Sequence, residues 1–422
     1  MKTNYTGVVL VLVTFFAISF ITNILGPLFP SLVEDFNISL AVAGFLPFSF
    51  FAAYGVMSIP SGILVDKYGE KFVMLTAFVM AAIGSLLFAI NPSFVMAMGS
   101  LFLIGTGMAM LQVAINPLLR VSGGQEHFAF YSVMAQLLFG GAATLSPIVY
   151  SNVVQSMAAG ETNGVIGFFN SNVPANMSWL SMYWIFAAVS IAMLVFIALI
   201  RLPKVELNDE EAVGAVGIYK QLLKNKSVIL FFIGIAAYVG TEQGVANAIS
   251  LFLERYHGLD PVTVGAETVS EFWFMLTVGC LLGLVLVKLF DSRLVLKLFS
   301  GAAMIALSFA LFGRAEISVI AFPMVGFFLS VMWSVIFSLA LNSVAEHHGS
   351  FAGILCTGIV GGGLASPLIG LIADMTGDLR IGMVVVYITL GYIFSIGFWA
   401  KPLVVNKTIK LFKKTSVETS TS

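Results

Sequence analysis

The chain reads as an all-α membrane protein with twelve transmembrane helices in two pseudo-symmetric six-helix bundles. Three observations predict this. Twelve apolar runs, each long enough at ~20 residues to cross a bilayer, account for most of the 422 residues. None of the 20 Lys and Arg residues lies deeper in a run than its first turn. A charged break near the midpoint divides the runs six and six, and residue patterns of the first half recur in the second.

The first six runs are 7–29, 40–64, 72–90, 94–118, 128–150 and 179–200; the second six are 227–252, 264–287, 294–313, 318–341, 351–373 and 381–400. A backbone in hydrocarbon must satisfy its own hydrogen bonds, so runs of this length are helices. Run 1 is expected to leave the membrane at Gly26-Pro27; it has one Lys and no small-residue cleavage site, unlike a signal peptide. The Asn-, Ser- and Gly-rich segment 151–178 is expected to be a flexible outer loop carrying the weak sequon Asn176-Met177-Ser178. These boundaries give an N-terminal bundle over 1–201, a linker over 202–226 that holds Asp209-Glu210-Glu211, a C-terminal bundle over 227–401 and a tail over 402–422.

Orientation follows from the basic residues. With the N-terminus in the cytoplasm, seventeen of the 20 Lys and Arg fall on the cytoplasmic side, and only Arg255, Arg314 and Arg380 fall outside. The positive-inside rule then places both termini in the cytoplasm of a multi-pass protein of the cell membrane. A missed helix would scramble this asymmetry.

Composition excludes a soluble globular domain: 59% of residues are hydrophobic and only 10% are charged, with a mean hydropathy of +1.02. The net charge of −1 carries no information on partners, and nothing points to nucleic acid. Cys280 and Cys356 stand in separate runs and read as small buried residues, and the four histidines fall in loops or at helix ends. No metal site, cofactor, nucleotide-binding loop or Ser/His/Asp set is expected, which argues against an enzyme; a sensor would want an output domain.

The halves repeat at an offset of 220. Gly140-Gly141 and Ser146-Pro147 in run 5 match Gly361-Gly362 and Ser366-Pro367 in run 11, and Asn23 in run 1 maps onto Gln243 in run 7. Gln112 in run 4 maps beside Trp333 in run 10. Polar or aromatic residues therefore recur in runs 1, 4, 7 and 10, as expected of parallel repeats with a site between them, although Gly-Gly and Ser-Pro pairs also serve helix packing alone.

Glu242, near the middle of run 7, is the outstanding polar residue. A charge at that depth costs ~2.5–3.5 kcal/mol on insertion scales, and no Lys or Arg lies within the bundle to offset it. It must be protonated, hydrated or paired with a cation, which suits a coupling-ion or sugar site; a permanently neutral Glu bonded to a neighbouring helix is the other reading. Glu271, spaced four from Glu267 in run 8, is a second coupling candidate or an outer-vestibule residue. Asp374, ending run 11, is expected to face water. Gln243 and Asn247 lie one turn apart in run 7, and Trp333 could stack on a sugar ring. Gln136 in run 5 could reach the same cavity, and Asn116 could bind ligand or freed backbone near Pro117.

The loop Gly62-Ile63-Leu64-Val65-Asp66-Lys67-Tyr68-Gly69-Glu70-Lys71 resembles the major facilitator superfamily signature G-x-L-x-D-[RK]-x-G-[RK]-[RK], with Glu70 in place of one basic residue. The resemblance implies that Gly62, Asp66, Lys67, Gly69 and Lys71 latch one conformation and so gate transport. The segments Gln112 to Pro117, Tyr238 to Glu242, Ile336 to Ala340 and Gly361 to Gly363 look like the fucose permease branch, which takes up fucose, glucose, galactose and related sugars with protons or sodium. That family usually has an Asp at the place of Asn23 and a Glu at the place of Gln112, acids tied there to proton coupling. Here both are amides, which still bind hydroxyls but cannot titrate.

The sequence thus predicts a monomeric transporter of a small neutral hexose. Asn23, Gln112, Asn116, Gln136, Gln243, Asn247 and Trp333 would bind the sugar, and Glu242 and Glu271 would handle a coupling cation. The cation could be sodium or a proton. The reading tilts to sodium because Thr241, Asn247 and carbonyls near Gly240 and Gly244 could add oxygen ligands. An exporter of drugs or metabolites is the alternative; the density of amides disfavours the greasier cavity it would need.

Overall fold

The structure, a computed structural model, describes residues 4–123, 128–162, 164–200, 220–344 and 348–403. Among the described residues every element is helical, and twelve are long and apolar enough to cross a membrane. In the first half these are α1 (Tyr5–Asp35), α2 (Leu40–Tyr68), α3 (Glu70–Ile90), α4 (Phe94–Gly123), α5 (Phe128–Ala158) and α6 (Ser181–Leu199). The second half has α7 (Lys226–His257), α8 (Ala266–Leu289), α9 (Ser292–Phe312), α10 (Ala315–Leu341), α11 (Ser350–Thr376) and α12 (Leu379–Trp399). Most of the linker expected over 202–226, and the tail beyond Leu403, lie outside the described residues.

Several ends have local causes. Asn225 and Asp291 cap α7 and α9 by accepting the backbone N–H two residues on, at 2.9 and 2.7 Å. Gly258 and Gly377 end α7 and α11 in the left-handed conformation that glycine adopts without strain. Arg293 donates to Asp291 at 3.0 Å and holds that carboxyl below its usual range.

Two expectations need correction. Helix α1 does not leave the membrane at Gly26-Pro27: it breaks at Asn23-Ile24 and resumes as Leu25–Asp35. Pro27 has no N–H and its ring crowds the carbonyl four residues back, that of Asn23, so it bends the helix there without ending it. The segment 151–178 is largely helical rather than a flexible loop. Helix α5 continues to Ala158, Gly164–Asn172 is a further helix, and Ala175–Leu180 winds as a 3₁₀ turn. Trp179 anchors that turn: its indole N–H donates to Asp35 at 2.5 Å and its ring packs on Phe36 and Phe88.

The halves meet along two seams, α2 with α11 and α5 with α8, and on the axis between them, α1 with α7. Close approach depends on glycine. A methyl on Gly26 would lie 2.4 Å from the Ala246 carbonyl, and one on Gly370 would lie 2.3 Å from the Leu40 carbonyl. These contacts sit at the end opposite the chain termini, here the far end. Nearer the middle, Gly55 faces Val360 and Gly140 faces Thr277. One turn further toward the termini, on the same face of α5 as Gly140, Gln136 is exposed. The lipid-side face of α5 is a different one, carrying Gly141, Leu145 and Ile148. The halves are therefore closed together at the far end, and the α5/α8 seam opens toward the termini.

Candidate functional site

Glu242 stands midway along α7, half-buried. The Tyr238 hydroxyl, one turn back on the same face, is its polar neighbour on that helix. Across from them, Cys280 of α8 lies within electrostatic range of Glu242, and its thiol donates to the Ser330 carbonyl of α10 at 3.3 Å. The Tyr238 ring lies 6.0 Å from that of Trp333, which stacks on Phe337 at 5.9 Å and an interplanar angle of 25°. One carboxylate and one phenol from α7, a thiol from α8 and a shelf of two aromatic rings from α10 are thus gathered.

In the first half, the Asn23 side-chain N–H₂ donates to the Ser19 hydroxyl at 3.0 Å, and Ser19 donates to the Phe139 carbonyl of α5 at 2.5 Å. Ser146 donates to the Phe20 carbonyl at 2.8 Å. The break in α1 frees backbone acceptors, and these bonds tie the broken helix to α5. Asn23 is buried, one turn toward the termini from the Gly26–Ala246 contact. Gln112 of α4 is half-buried. The side chain of Asn116 lies outside the described residues.

Gln243 and Asn247 do not share the face of Glu242. At about 100° per residue, the next position on a helix looks toward another neighbour. Gln243 is buried against Gly362 of α11, and Asn247 donates to Ser366 at 3.3 Å. Asn247 also lines a small far-end cavity with Phe29, Leu40, Leu251, Ser366 and Gly370. Thr241 donates to the Ala237 carbonyl at 2.8 Å and meets the Thr389 hydroxyl of α12 at 2.7 Å. The oxygens expected to surround a sodium ion therefore point to different neighbours.

Glu271 stands on another face of α8 from Cys280. It lies nine residues before Cys280 on α8, which at about 100° per residue is half a turn away. It shares the exposed stripe of Glu267, Phe274 and Val278, where a carboxylate near the helix end can reach water.

The signature segment is not a loop: Gly62 is buried within α2, which runs on to Tyr68, and only Gly69 lies between α2 and α3, turning at φ +80°, a conformation that favours glycine. Lys67 is exposed, with its ammonium 5.1 Å from the Tyr68 ring. Lys71 reaches the end of α6, donating to the Ala198 and Ile200 carbonyls at 2.9 and 2.7 Å. It caps a helix end within the first half. The Asp66 side chain lies outside the described residues.

Tyr238 and Ser19 escaped the reading of the sequence, although each sits four residues before a residue that was singled out, and that spacing puts both on one helix face. Cys280 carries no sequence signal for its place beside Glu242.

Comparison with known proteins follows this geometry. Residues 11–367 match the family described as Major Facilitator Superfamily. A "Glucose/galactose transporter" of Brucella abortus is 29% identical over 378 residues, covering 86% of each chain. An "L-fucose-proton symporter" of Escherichia coli is 22% identical over 382 residues, again 86% of each. The solved structure of the E. coli fucose:proton symporter superimposes with a TM-score of 0.66 at 20% identity, covering 93% of this chain and 98% of that one.

Proposed function

Since the chain belongs to the major facilitator superfamily, whose model spans most of it, we propose that it carries a small neutral hexose across the cell membrane by alternating access, coupled to proton entry. The observation that carries this reading is the pairing of Glu242 with Tyr238 beside the Trp333–Phe337 shelf. A carboxylate with a phenol beside it and no basic partner among the described residues suits reversible protonation, and a flat aromatic surface suits the apolar face of a pyranose. The relatives named for glucose and galactose and for fucose–proton symport support the substrate class and the coupling.

A proton is favoured over sodium because Thr241 and Asn247 are engaged away from Glu242. Asn23 and Gln112 cannot titrate, so protonation falls to Glu242. Gln112, Gln136, Trp333 and Asn23 are the proposed hydroxyl and ring contacts, and Gln243 and Asn247, packed between α7 and α11, are left out of that set. With both termini in the cytoplasm, as the basic residues indicate, the conformation is inward-facing.

The test is reconstitution into liposomes and a screen of labelled glucose, galactose and fucose under imposed proton or sodium gradients. Accumulation of a hexose is expected; transport of amphipathic drugs with no hexose flux would favour the exporter.

A further inference from the structure

Asp374 closes α11 at the far end, and its two carboxylate oxygens accept from the backbone N–H groups of Leu40 at 3.2 Å and Ala41 at 2.8 Å. These are the first two residues of α2, in the other half of the molecule. Helix α2 already has a cap of its own, since Ser39 accepts from Val42 N–H at 3.3 Å. Asp374 thus satisfies donors that Ser39 leaves orphaned, and does so across the seam. A carboxylate there also meets the positive end of the helix dipole.

The surroundings make this bond depend on closure. Next to it, a methyl on Gly370 would lie 2.3 Å from the Leu40 carbonyl, and one on Gly44 would lie 2.5 Å from the Pro367 nitrogen. Backbones this close leave no room for water between α2 and α11. Asp374 can therefore hold both donors only while the far end is shut.

The equivalent seam lacks the device. At the far end of α8, Asp260 caps its own segment, accepting from Val262 and Thr263 at 2.7 and 3.3 Å. The repeat position of Asp374 on α5 is Val154. The bond is one-sided, so it does not follow from the repeat.

We propose that Asp374 is a gating residue of the far end: its carboxylate caps α2 across the seam and biases the molecule toward the closed far end. Opening must break both hydrogen bonds and leave two amides to water; the Asp374 carboxylate is exposed already. Those groups are then solvated, so the bond biases the equilibrium by about fivefold, the worth of an ordinary charged cap, without locking it. A transporter that must cycle needs a bias of that size. The inference rests on the alternating-access reading but not on the identity of the sugar.

The experiment uses the full-length protein in liposomes, with Cys280 and Cys356 replaced by serine and one reporter cysteine added. Leu251→Cys reports the far-end cavity and Gln136→Cys reports the opposite opening. Labelling by a membrane-impermeant thiol reagent is measured from the appropriate side, without sugar. Asp374→Ala is expected to speed labelling at 251 about fivefold and to slow it at 136. Asp374→Asn, which keeps one acceptor, is expected to fall between. Unchanged rates at both reporters would overturn the proposal, and so would a rise at both, which signals general loosening. If the unmodified protein transports no hexose yet the two rates move in opposite directions in the reporter variants, the substrate reading fails and the latch stands.

Discussion

Gly26 of α1 rests on the carbonyl of Ala246 of α7, and 246 is 26 moved on by the 220-residue repeat. A residue that touches its own counterpart lies on the pseudo-twofold axis. The two broken or polar helices therefore cross at the centre of the molecule, with Asn23 and Gln243 one turn toward the termini on either side. Closing the far end means bringing these two backbones together, and only glycine allows the distance.

Gly26→Val is expected to hold the far end open. A Cβ there would stand 2.4 Å from the Ala246 oxygen, and backbone cannot move aside as a side chain would. Uptake should fall by at least tenfold while hexose binding from the far side persists. Equilibrium binding alongside transport checks this; wild-type turnover in the variant would remove Gly26 from the closure mechanism.

Trp333→Ala is expected to raise the apparent KM for sugar about tenfold, from the loss of one stacking face worth ~1–1.5 kcal/mol. Trp333→Phe should keep most of the affinity, because Phe337 and Tyr238 still flank the ring position. A fall in turnover with KM unchanged would assign Trp333 to helix packing instead.

Lys71 and Asp66 should separate. Lys71 caps the carbonyl end of α6 inside one half, so Lys71→Met is expected to cost ~1 kcal/mol of stability, seen as a lower Tm, with turnover per folded molecule retained. Asp66→Asn is expected to slow transport strongly with little change in sugar affinity, as its place in the signature segment implies. Stopped exchange in Lys71→Met at normal Tm would return Lys71 to the gate.

The twelve spans were legible because hydrocarbon length and the exclusion of Lys and Arg act on composition, which a sequence displays directly. Glu242 was legible for the same reason: an unpaired acid at that depth is costly wherever its helix packs. Glu271 shows the limit. Its depth was readable, but the face it occupies is set by the contacts of α8 with α5 and α10, such as Gly140–Thr277 and Gly326–Phe272, which are long-range. The partners of Lys71 and Asp374 were not legible either, because a charged residue at a helix end finds them on an element far along the chain.

The coupling ion gives the sharpest prediction. Glu242 has Tyr238 beside it on its own helix face, while Thr241 is spent on Thr389 and Asn247 on Ser366. Sodium needs several oxygen ligands around one point; a proton needs only the carboxylate. An inward proton gradient is therefore expected to drive hexose accumulation in liposomes with sodium absent throughout, and an inward sodium gradient at fixed pH to add nothing. Glu242→Gln, neutral at every pH, should abolish accumulation yet preserve sugar exchange, since exchange needs no net proton movement. Accumulation by Glu242→Gln against a gradient would move the coupling site elsewhere, and sodium-driven uptake at fixed pH would reverse the choice of ion.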